Sequence, residues 1–297
     1  MSLEKLELEI IHYKELCLNL KNSVFEKLIT NLKIIFNFLT KNNINNCIKS
    51  NNKDNIILIS FNGGKDSICS FLAYKYLLYC MHINLSNENN MKLINTENTL
   101  NNIEDINIFN KFLLNHTKFK INNYFNTSLI YFSHSDNFKE EVDYCIDISK
   151  SEDINIKIMH ASFRNGLFYS KEKYKFDYIV MGLRKDDLFL SSSTFANNIN
   201  QDDYFAIEEK DIIQSSTNSY PNFIRLYPIY NFNYSEIWCL ILLFNYKYLC
   251  LYDQGYSSVG LKKKTFKNSN LFRHCYNKYM PAYCLYKSSS EREFRTN

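Results

Sequence analysis

The hydrophobic positions along the chain follow two periods, one typical of helices and one typical of buried strands. Over residues 3–40 apolar side chains recur at helical spacing, which predicts one or two amphipathic helices. At residues 56–59 four apolar residues follow one another without interruption, as in a strand buried on both faces of a parallel sheet. The apolar residues 68–81 predict a helix soon after that strand.

Further strands and helices alternate along the rest of the chain. Apolar runs predict strands at residues 128–132, 154–158 and 178–181. Helices are predicted over residues 138–148 and 161–173, and a last helix from Tyr234 to about Tyr246. This order predicts an α/β fold of the doubly wound, Rossmann-like type, with a mainly parallel sheet that carries helices on both faces.

Polar stretches divide the chain into segments. Residues 41–55 are rich in Asn and predict a linker, so residues 1–54 form an N-terminal helical segment and residues 55–297 the main domain. Within the main domain, residues 84–126 have the composition of a low-complexity insertion, apart from a short helix predicted over residues 106–114. Residues 188–218 are predicted to form a second, irregular insertion.

The composition is that of a globular protein with a core. Of the 297 residues, 45% are apolar, 16% aromatic and 22% charged, which excludes a chain that is disordered throughout. The formal net charge of +4 is too small to predict binding to nucleic acid or to an anionic membrane. Asn, Lys, Ile, Tyr and Phe are all abundant and share A- and T-rich codons, so the aromatic excess alone does not indicate a stacking surface.

Three features favour a cytoplasmic protein. The nine cysteines include no CxxC pair and are odd in number, so neither a zinc ribbon nor a redox pair is indicated. Charged residues interrupt the first positions, unlike the apolar core of an export signal. The most apolar stretch, residues 237–252, contains Asn245 and Lys247 and is shorter than the roughly 20 residues that a membrane span needs.

The glycines indicate one loop with a chemical role. The chain has only six glycines, and two of them are adjacent between the first predicted strand and its helix. Such a pair lets the backbone approach a ligand, while the helix N-terminus offers N–H groups and the positive end of its dipole to a phosphate. The loop matches neither the Walker pattern nor GxGxxG, and an ordinary tight turn with a helix cap is the alternative. The loop residues are Ser60, Phe61, Asn62, Gly63, Gly64, Lys65, Asp66 and Ser67.

This loop resembles the pyrophosphate loop of N-type ATP pyrophosphatases, which cleave ATP between its α and β phosphates. Four further motifs are similar, in the same order, to those of the eukaryotic FAD synthetase (FMN adenylyltransferase) branch of that superfamily. They are MGLRKDD at 181–187, PNFIR at 221–225 with its following block, LYDQGYSSVG at 251–260, and a terminal E-R-x-x-R at 291–295. The resemblance covers about residues 55–295, less the insertions.

The resemblance implies an enzyme that transfers AMP from ATP to FMN, giving FAD and pyrophosphate, with Mg²⁺ on the phosphates. Because no motif places a nucleophilic Cys, Ser or Lys, we expect direct in-line transfer without a covalent intermediate. The C-terminal extension is implied to close the flavin site. We expect ATP and FMN as the partners, no nucleic acid and no membrane, and a monomer or weak homodimer.

The resemblance also implies roles for particular residues. The loop residues 60–67 and Gly182 are implied to bind ATP, with Asp66 as a ligand of Mg²⁺. The residues implied to be catalytic are Asn62, Asp66, Asp187, Arg292 and Arg295. The residues implied to bind FMN are Arg184, Asp187, Thr217, Tyr220, Arg225, Asp253, Gln254, Arg292 and Arg295.

The chain departs from the family pattern in its flavin segment. The family's Asp-x-x-Trp-Pro is replaced by Thr217-Asn218-Ser219-Tyr220-Pro221, Leu188 stands where Pro is usual, and Phe232 where Trp is common. The only Trp, Trp238, lies on an apolar helix face, which favours a position in the core.

Two alternatives to FAD synthesis stay open. One is another enzyme with this loop, a sulfonucleotide reductase or a tRNA thiolation enzyme. These would need a reactive terminal Cys motif or CxxC pairs, which the sequence lacks. The other is a catalytically inactive flavin-binding homologue, which the altered Thr217 and Tyr220 would suit.

Overall fold

The structure, a computed structural model, describes residues 3–42, 57–86, 103–121, 126–187, 208–217 and 219–296. These residues form a larger sheet with helices on both faces and a short two-stranded hairpin near the C-terminus. The predicted α/β fold is therefore confirmed. Within the same ranges, no helix is both long and apolar enough to cross a membrane.

The larger sheet has a switch point at its first strand. Its strands are β1 (Ile57–Ser60), β2 (Thr127–Ser133), β3 (Ile156–His160), β4 (Tyr178–Val180), β5 (Ile213–Ser215) and β6 (Ile224–Leu226). Their order is β3-β2-β1-β4-β6-β5, and every pair is parallel except β5 with β6. From β1 the chain first winds toward β3 and then toward β6. Such a reversal leaves a crevice at the carboxyl ends of the strands, where ligands bind in open α/β sheets.

The helices cover both faces of this sheet. They are α1 (Leu3–Leu18), α2 (Lys21–Lys41), α3 (Lys65–Ser86), α4 (Ile103–Asn115), α5 (Lys139–Glu152), α6 (Phe163–Tyr174), α7 (Glu209–Ile212) and α8 (Tyr234–Leu243). Alternate residues of β1 divide between two cores: Ile57 and Ile59 pack with α2, α3 and α8, whereas Leu58 packs with α6. Because strand side chains alternate between faces, a strand buried on both faces is apolar throughout.

Helices α2 and α4 lie in the main core, although the sequence predicts that they belong to an N-terminal segment and to an insertion. Residues of α2, including Leu28 and Ile35, are fully buried in the same cluster as β1. Helix α4 lies inside the predicted low-complexity insertion, yet Phe109 and Phe112 are 1% and 0% exposed and their rings lie 5.3 and 5.2 Å from that of Tyr76 on α3. The short helix predicted there is confirmed, whereas residues 87–102 lie outside the described residues. The division of the chain at residue 54 stays a prediction.

The segment predicted to be irregular, residues 188–218, contains two regular elements. Helix α7 and strand β5 occupy Glu209–Ile212 and Ile213–Ser215, so that part of the prediction is wrong. Strand β5 pairs with the edge strand β6, and a three-residue edge strand leaves too short a pattern to detect in the sequence. Residues 188–207 lie outside the described residues.

Candidate active site

The glycine loop joins β1 to α3 at the switch point of the sheet. Gly63 has a φ of +74°, and a Cβ there would lie 2.8 Å from the ring of Tyr144, so the position requires glycine. Within the loop, Asn62 Oδ1 accepts from the Gly64 N–H at 3.0 Å and the Ser67 hydroxyl donates to the Gly64 carbonyl at 2.8 Å. The loop thus keeps its shape through its own hydrogen bonds.

The segment after β4 packs directly against the start of α3. A Cβ on Gly182 would lie 2.7 Å from the carbonyl carbon and oxygen of Asp66, closer than van der Waals contact allows. Only glycine therefore lets residues 181–187 run beside the glycine loop. This close approach brings Arg184 and Asp187 next to the first turn of α3.

Seven charged side chains meet where these segments adjoin the C-terminus. They are Lys65, Asp66, Arg184, Asp187, Glu291, Arg292 and Arg295. Four cations and three carboxylates leave this ionic cluster with one net positive charge. A local excess of positive charge suits an anionic ligand, although the chain as a whole is nearly neutral.

Arg184 lies at the centre of the ionic cluster and is 1% exposed. Its Nη2 donates to both carboxylate oxygens of Glu291, at 2.9 and 2.7 Å. Its Nε lies 2.9 Å from Asp66 Oδ1, an ion pair without the direction of a hydrogen bond. Burial disfavours the guanidinium charge, but the neighbouring carboxylates outweigh burial and raise the pKa of Arg184. The side chain therefore holds other residues in place and does not face the solvent.

Lys65 is also buried, at 2% exposed. Its Nζ donates to Asp66 Oδ2 at 3.0 Å and to Glu291 Oε1, and its backbone N–H donates to the Tyr252 hydroxyl at 2.9 Å. Burial alone would raise the pKa of Asp66, yet the charges of Lys65 and Arg184 hold this pKa below its ordinary value. Asp66 is therefore ionised at neutral pH.

The two C-terminal arginines differ in their partners. Arg292 Nη2 donates to Asp187 Oδ1 at 2.6 Å, and burial raises the pKa of Asp187 although Arg184 opposes the shift. Arg295 Nη1 donates to the Ser258 hydroxyl at 3.1 Å and has no carboxylate within ion-pair distance among the described residues. Burial lowers the pKa of Arg295, and the charge of Arg292 adds to this. Arg295 is thus the cluster's cation that an incoming anion would neutralise.

Two cavities adjoin the glycine loop and share Ser60, Asn62 and Arg295. The first, called here the loop cavity, measures about 200 Å³ and is bordered by the loop, Gly182, Tyr252 and Ser258. It is the polar end of the site. Its arginines and the N-terminus of α3 suit phosphate groups.

The second cavity, called here the side cavity, measures about 460 Å³ and lies beside the carboxyl end of β2. Ile130, Phe132 and Phe163 give it apolar walls. Glu141 also borders it, 4% exposed, and accepts from Asn137 Nδ2 at 2.7 Å. Burial raises the pKa of Glu141 to about 7. A planar apolar group with polar edges suits this cavity.

The structure brings together most, but not all, of the sequence-predicted site residues. Those that border the loop cavity are Ser60, Asn62, Gly64, Lys65, Asp66, Ser67, Gly182, Arg292 and Arg295. Phe61 borders the side cavity, whereas Gly63 lies under Tyr144. Arg184 and Asp187 lie behind the cavity and support it.

Five predicted flavin-site residues lie outside both cavities. Asp253 and Gln254 are exposed, and Asp253 Oδ1 accepts from the Tyr248 hydroxyl at 2.8 Å. The Arg225 guanidinium stacks on the Tyr220 ring, 4.9 Å from its centroid, and Thr217 is exposed nearby. The geometry therefore does not support their assignment to these cavities. A motif in the sequence identifies a segment, but its fold decides which side chains face inward.

Residues at the site that were not predicted from the sequence include Glu141, Tyr252, Ser258 and Glu291. Tyr252, Ser258 and Glu291 lie inside the motifs at 251–260 and 291–295, next to residues that were selected, so position in a motif was the available signal. Glu141 lies on α5, outside every motif. Trp238 is 0% exposed, so its predicted place in the core is confirmed.

The implied Mg²⁺ has one candidate protein ligand. Among the described residues, no group of three or more His, Cys, Asp or Glu is arranged to hold a metal ion. Asp66 borders the loop cavity with 17% of its side chain exposed, but each of its oxygens already lies within 3.0 Å of a cation. Mg²⁺ takes phosphate oxygens plus one or two carboxylates. The described residues therefore leave the binding of Mg²⁺ chiefly to substrate phosphates, and Asp66 as its protein ligand stays a proposal.

Comparisons with known proteins identify the family of this chain. Residues 56–267 match the family described as the phosphoadenosine phosphosulfate reductase domain. A Schizosaccharomyces pombe protein named "Probable FAD synthase" is 44% identical over 78 residues, which are 26% of this chain and 29% of that protein. The alignment thus spans less than a third of the relative's own length.

Two solved structures share the fold over nearly their whole length. Candida glabrata FMN adenylyltransferase in complex with FMN and the ATP analog AMPCPP is 18% identical, with a TM-score of 0.60, over 96% of this chain and 99% of that one. Yeast FAD synthetase in complex with FAD is 16% identical, with a TM-score of 0.61, over 97% of this chain and 99% of that one. At this identity the similarity shows the fold.

Proposed function

We propose a function from one premise: the chain belongs to the phosphoadenosine phosphosulfate reductase domain family. Within this family, we propose that it transfers AMP from ATP to FMN and releases pyrophosphate, as an FAD synthetase. The name of the Schizosaccharomyces pombe relative and the fold shared with FMN adenylyltransferase support this choice. The observation that carries this proposal is the position of Arg295. This arginine has no ion-pair partner among the described residues, and it borders both the loop cavity and the side cavity.

The two cavities suggest how ATP is bound. The loop cavity would take the β and γ phosphates, beside the glycine loop and the N-terminus of α3. The side cavity would take the adenine ring between its apolar walls. The α phosphate would then lie at the junction that Ser60, Asn62 and Arg295 share, with Asn62 as a donor to it.

The chemistry needs charge neutralisation more than a base. The second pKa of a phosphomonoester is about 6, so the FMN phosphate is already anionic at neutral pH. One of its oxygens would attack the α phosphorus of ATP. The bond between that phosphorus and the oxygen that bridges it to the β phosphorus would break, and pyrophosphate would leave. Catalysis would rest on in-line positioning and on cations at the transferring group. Arg292 and Arg295 would supply those cations.

The remaining charged residues would act by support. Asp187 would orient Arg292, and Arg184 would hold Asp66 and Glu291 in place. Bound Mg²⁺ would neutralise phosphate charge. For the isoalloxazine ring, Thr217, Tyr220, Arg225, Asp253 and Gln254 stay proposals from the family resemblance. A cytoplasmic location, which the cysteines and the charged first positions favour, and a monomer or weak homodimer are proposals as well.

The proposal is tested by incubating the purified protein with ATP, Mg²⁺ and FMN and following FAD by chromatography. A parallel reaction with riboflavin controls for kinase activity. FAD formed with equimolar pyrophosphate is the expected result. Binding of FMN without FAD would favour an inactive homologue. No binding of FMN would overturn the proposal and indicate another acceptor.

A further inference from the structure

The C-terminal residues 288–296, called here the strap, lie along the segment 257–268. The Thr296 N–H donates to the Lys264 carbonyl at 3.0 Å, and the Phe266 N–H donates to the Phe294 carbonyl at 3.0 Å. At the other end of the strap, Asn268 Nδ2 donates to the Ser290 carbonyl at 2.9 Å. These bonds join the strap to residues 257–268, but none of them reaches the glycine loop.

Glu291 makes the strap's connection to the glycine loop. Its residue is 6% exposed, and its carboxylate accepts from Lys65 at the start of α3 and from Arg184 after β4. Its backbone carbonyl accepts from the Ser257 hydroxyl at 2.7 Å. One side chain therefore fixes three segments that are distant in sequence.

Glu291 opens the terminal E-R-x-x-R motif, but the roles that the resemblance implies fall on Arg292 and Arg295. We propose that Glu291 is a positioning residue, which holds Arg292 and Arg295 at the loop cavity by anchoring the strap to Lys65 and Arg184. This inference rests on the proposed adenylyl transfer. It also makes the Lys65 ammonium an anchor for the strap, with the β and γ phosphates of ATP left to the backbone N–H groups of the loop and of the first turn of α3.

Among the described residues, neither arginine of the strap is hydrogen-bonded to the glycine loop. Arg292 is next to it in sequence and pairs with Asp187, which itself accepts from the Arg184 N–H at 3.1 Å. Arg295 is bound through Ser258, on the strap's own neighbouring segment. Removing the Glu291 charge would leave Lys65 and Arg184 buried with too few carboxylates, and an uncompensated buried charge is strongly unfavourable. The strap and its arginines would then move away from the loop.

The test compares Glu291→Gln with a matched control, Glu293→Gln. Glu293 lies on the same strap, but its carboxylate is exposed. Among the described residues, this carboxylate accepts a side-chain hydrogen bond only from Asn270, at 3.2 Å. For Glu291→Gln we expect kcat for FAD formation to fall about 100-fold, the usual effect of a displacement of about 1 Å at a reacting centre. The KM for ATP should stay within about threefold, because the glycine loop keeps the hydrogen bonds that Asn62 and Ser67 make to Gly64.

Hydrogen exchange of the strap amides supplies a readout that does not depend on activity. We expect exchange in the peptide that covers residues 288–296 to be faster by about tenfold or more in Glu291→Gln, and unchanged in Glu293→Gln. If the wild type makes no FAD, the proposed function fails while the exchange result still tests the anchor. An unchanged kcat, or equal exchange in both variants, would overturn the inference.

A third variant covers the case in which Glu291→Gln does not fold. Glu291→Asp keeps the charge but shortens the side chain by one methylene, and Glu293→Asp is its control. We expect a smaller fall in kcat than for Glu291→Gln, again with an almost unchanged KM for ATP. A Glu291→Asp enzyme with the kinetics and the exchange of its control would show that Glu291 does not position the strap.

Discussion

At the scale of single residues, Arg295 is the side chain whose positive charge is most available to a bound anion. It borders both cavities, and its contact with the Ser258 hydroxyl leaves its charge without a carboxylate partner among the described residues. An arginine of this kind stabilises a developing anion without first having to leave an ion pair. This is the property that a phosphoryl-transfer site requires.

We predict that Arg295→Gln lowers kcat for FAD formation by about 100- to 1000-fold, the usual cost of losing one preorganised charge partner of a transition state. The control is Arg273→Gln, because Arg273 pairs with Glu9 at 2.7 Å on α1 and borders neither cavity. Steady-state kinetics of both variants with ATP and FMN provide the measurement. Equal rates for the two variants would remove Arg295 from the mechanism.

The buried carboxyl group of Glu141 makes the stability of the folded protein depend on pH. Its pKa is raised from 4.5 to about 7 in the folded protein, so between these values the folded state keeps a proton that the unfolded state has lost. The contribution of Glu141 to the free energy of unfolding is therefore complete at a pH below its pKa in the unfolded state. This contribution is lost as the pH rises through its pKa in the folded state. The loss amounts to about 3 kcal/mol.

We predict that Glu141→Gln removes this dependence. The unfolding free energy of the wild type should fall relative to that of the variant as the pH rises from about 4.5 to about 7. Urea unfolding at several pH values measures it. Glu172→Gln, at an exposed position on α6, is the control and should follow the wild type. Parallel profiles for Glu141→Gln and the wild type would contradict the raised pKa.

At the scale of elements, the contact between the segment after β4 and the start of α3 determines the shape of the loop cavity. Gly182 is the residue that permits it, because a Cβ there would lie 2.7 Å from backbone atoms of Asp66. Backbone atoms within the first turn of a helix have little freedom to move. An added methyl group must therefore separate the two segments.

We predict that Gly182→Ala lowers the unfolding free energy by about 1–3 kcal/mol, as overpacking does, and weakens ATP binding. Gly64→Ala is the comparison for stability, since the nearest atom to its Cβ would be the side-chain Oδ1 of Asn62 at 3.0 Å, and a side chain shifts more easily than the backbone of a helix. Chemical unfolding should therefore show the larger loss for Gly182→Ala. A loss no larger than that of Gly64→Ala would show that the two segments separate easily.

At the scale of the whole molecule, the Asn-rich insertion and the core meet at α4. Helix α3 ends at Ser86 and α4 begins at Ile103, and the phenyl rings of α4 pack on α3. The insertion is thus interrupted by a helix that belongs to the core. Composition alone does not distinguish the two.

We predict that deleting residues 87–102 leaves the rate of FAD formation near that of the wild type, because the deletion spares both helices. Phe112→Ala is the contrasting variant. Phe112 is 0% exposed, and its loss should cost about 3–5 kcal/mol of unfolding free energy. Kinetics and urea unfolding of both variants measure this. A large loss of activity in the deletion variant would give residues 87–102 a functional role.

The sequence by itself determined the fold class, the order of strands and helices from α1 to β4 and the loop at residues 60–67. These features depend on short stretches: an apolar strand such as residues 57–59, a glycine pair with one positive φ, and a helix that follows at once. Hydrophobic periodicity and turn residues are local signals, because each depends only on residues that are close together in the sequence. One sequence is therefore enough to predict these features.

Only the tertiary structure decided which side chains share the site. Lys65 and Glu291 are 226 residues apart and form a buried pair, whereas Asp253 and Gln254 lie within a recognised motif and face the solvent. The same packing placed Glu141 at the side cavity and α4 in the core. Burial, and with it ion pairing and pKa, depends on how segments distant in sequence pack together. No local pattern in the sequence contains that information.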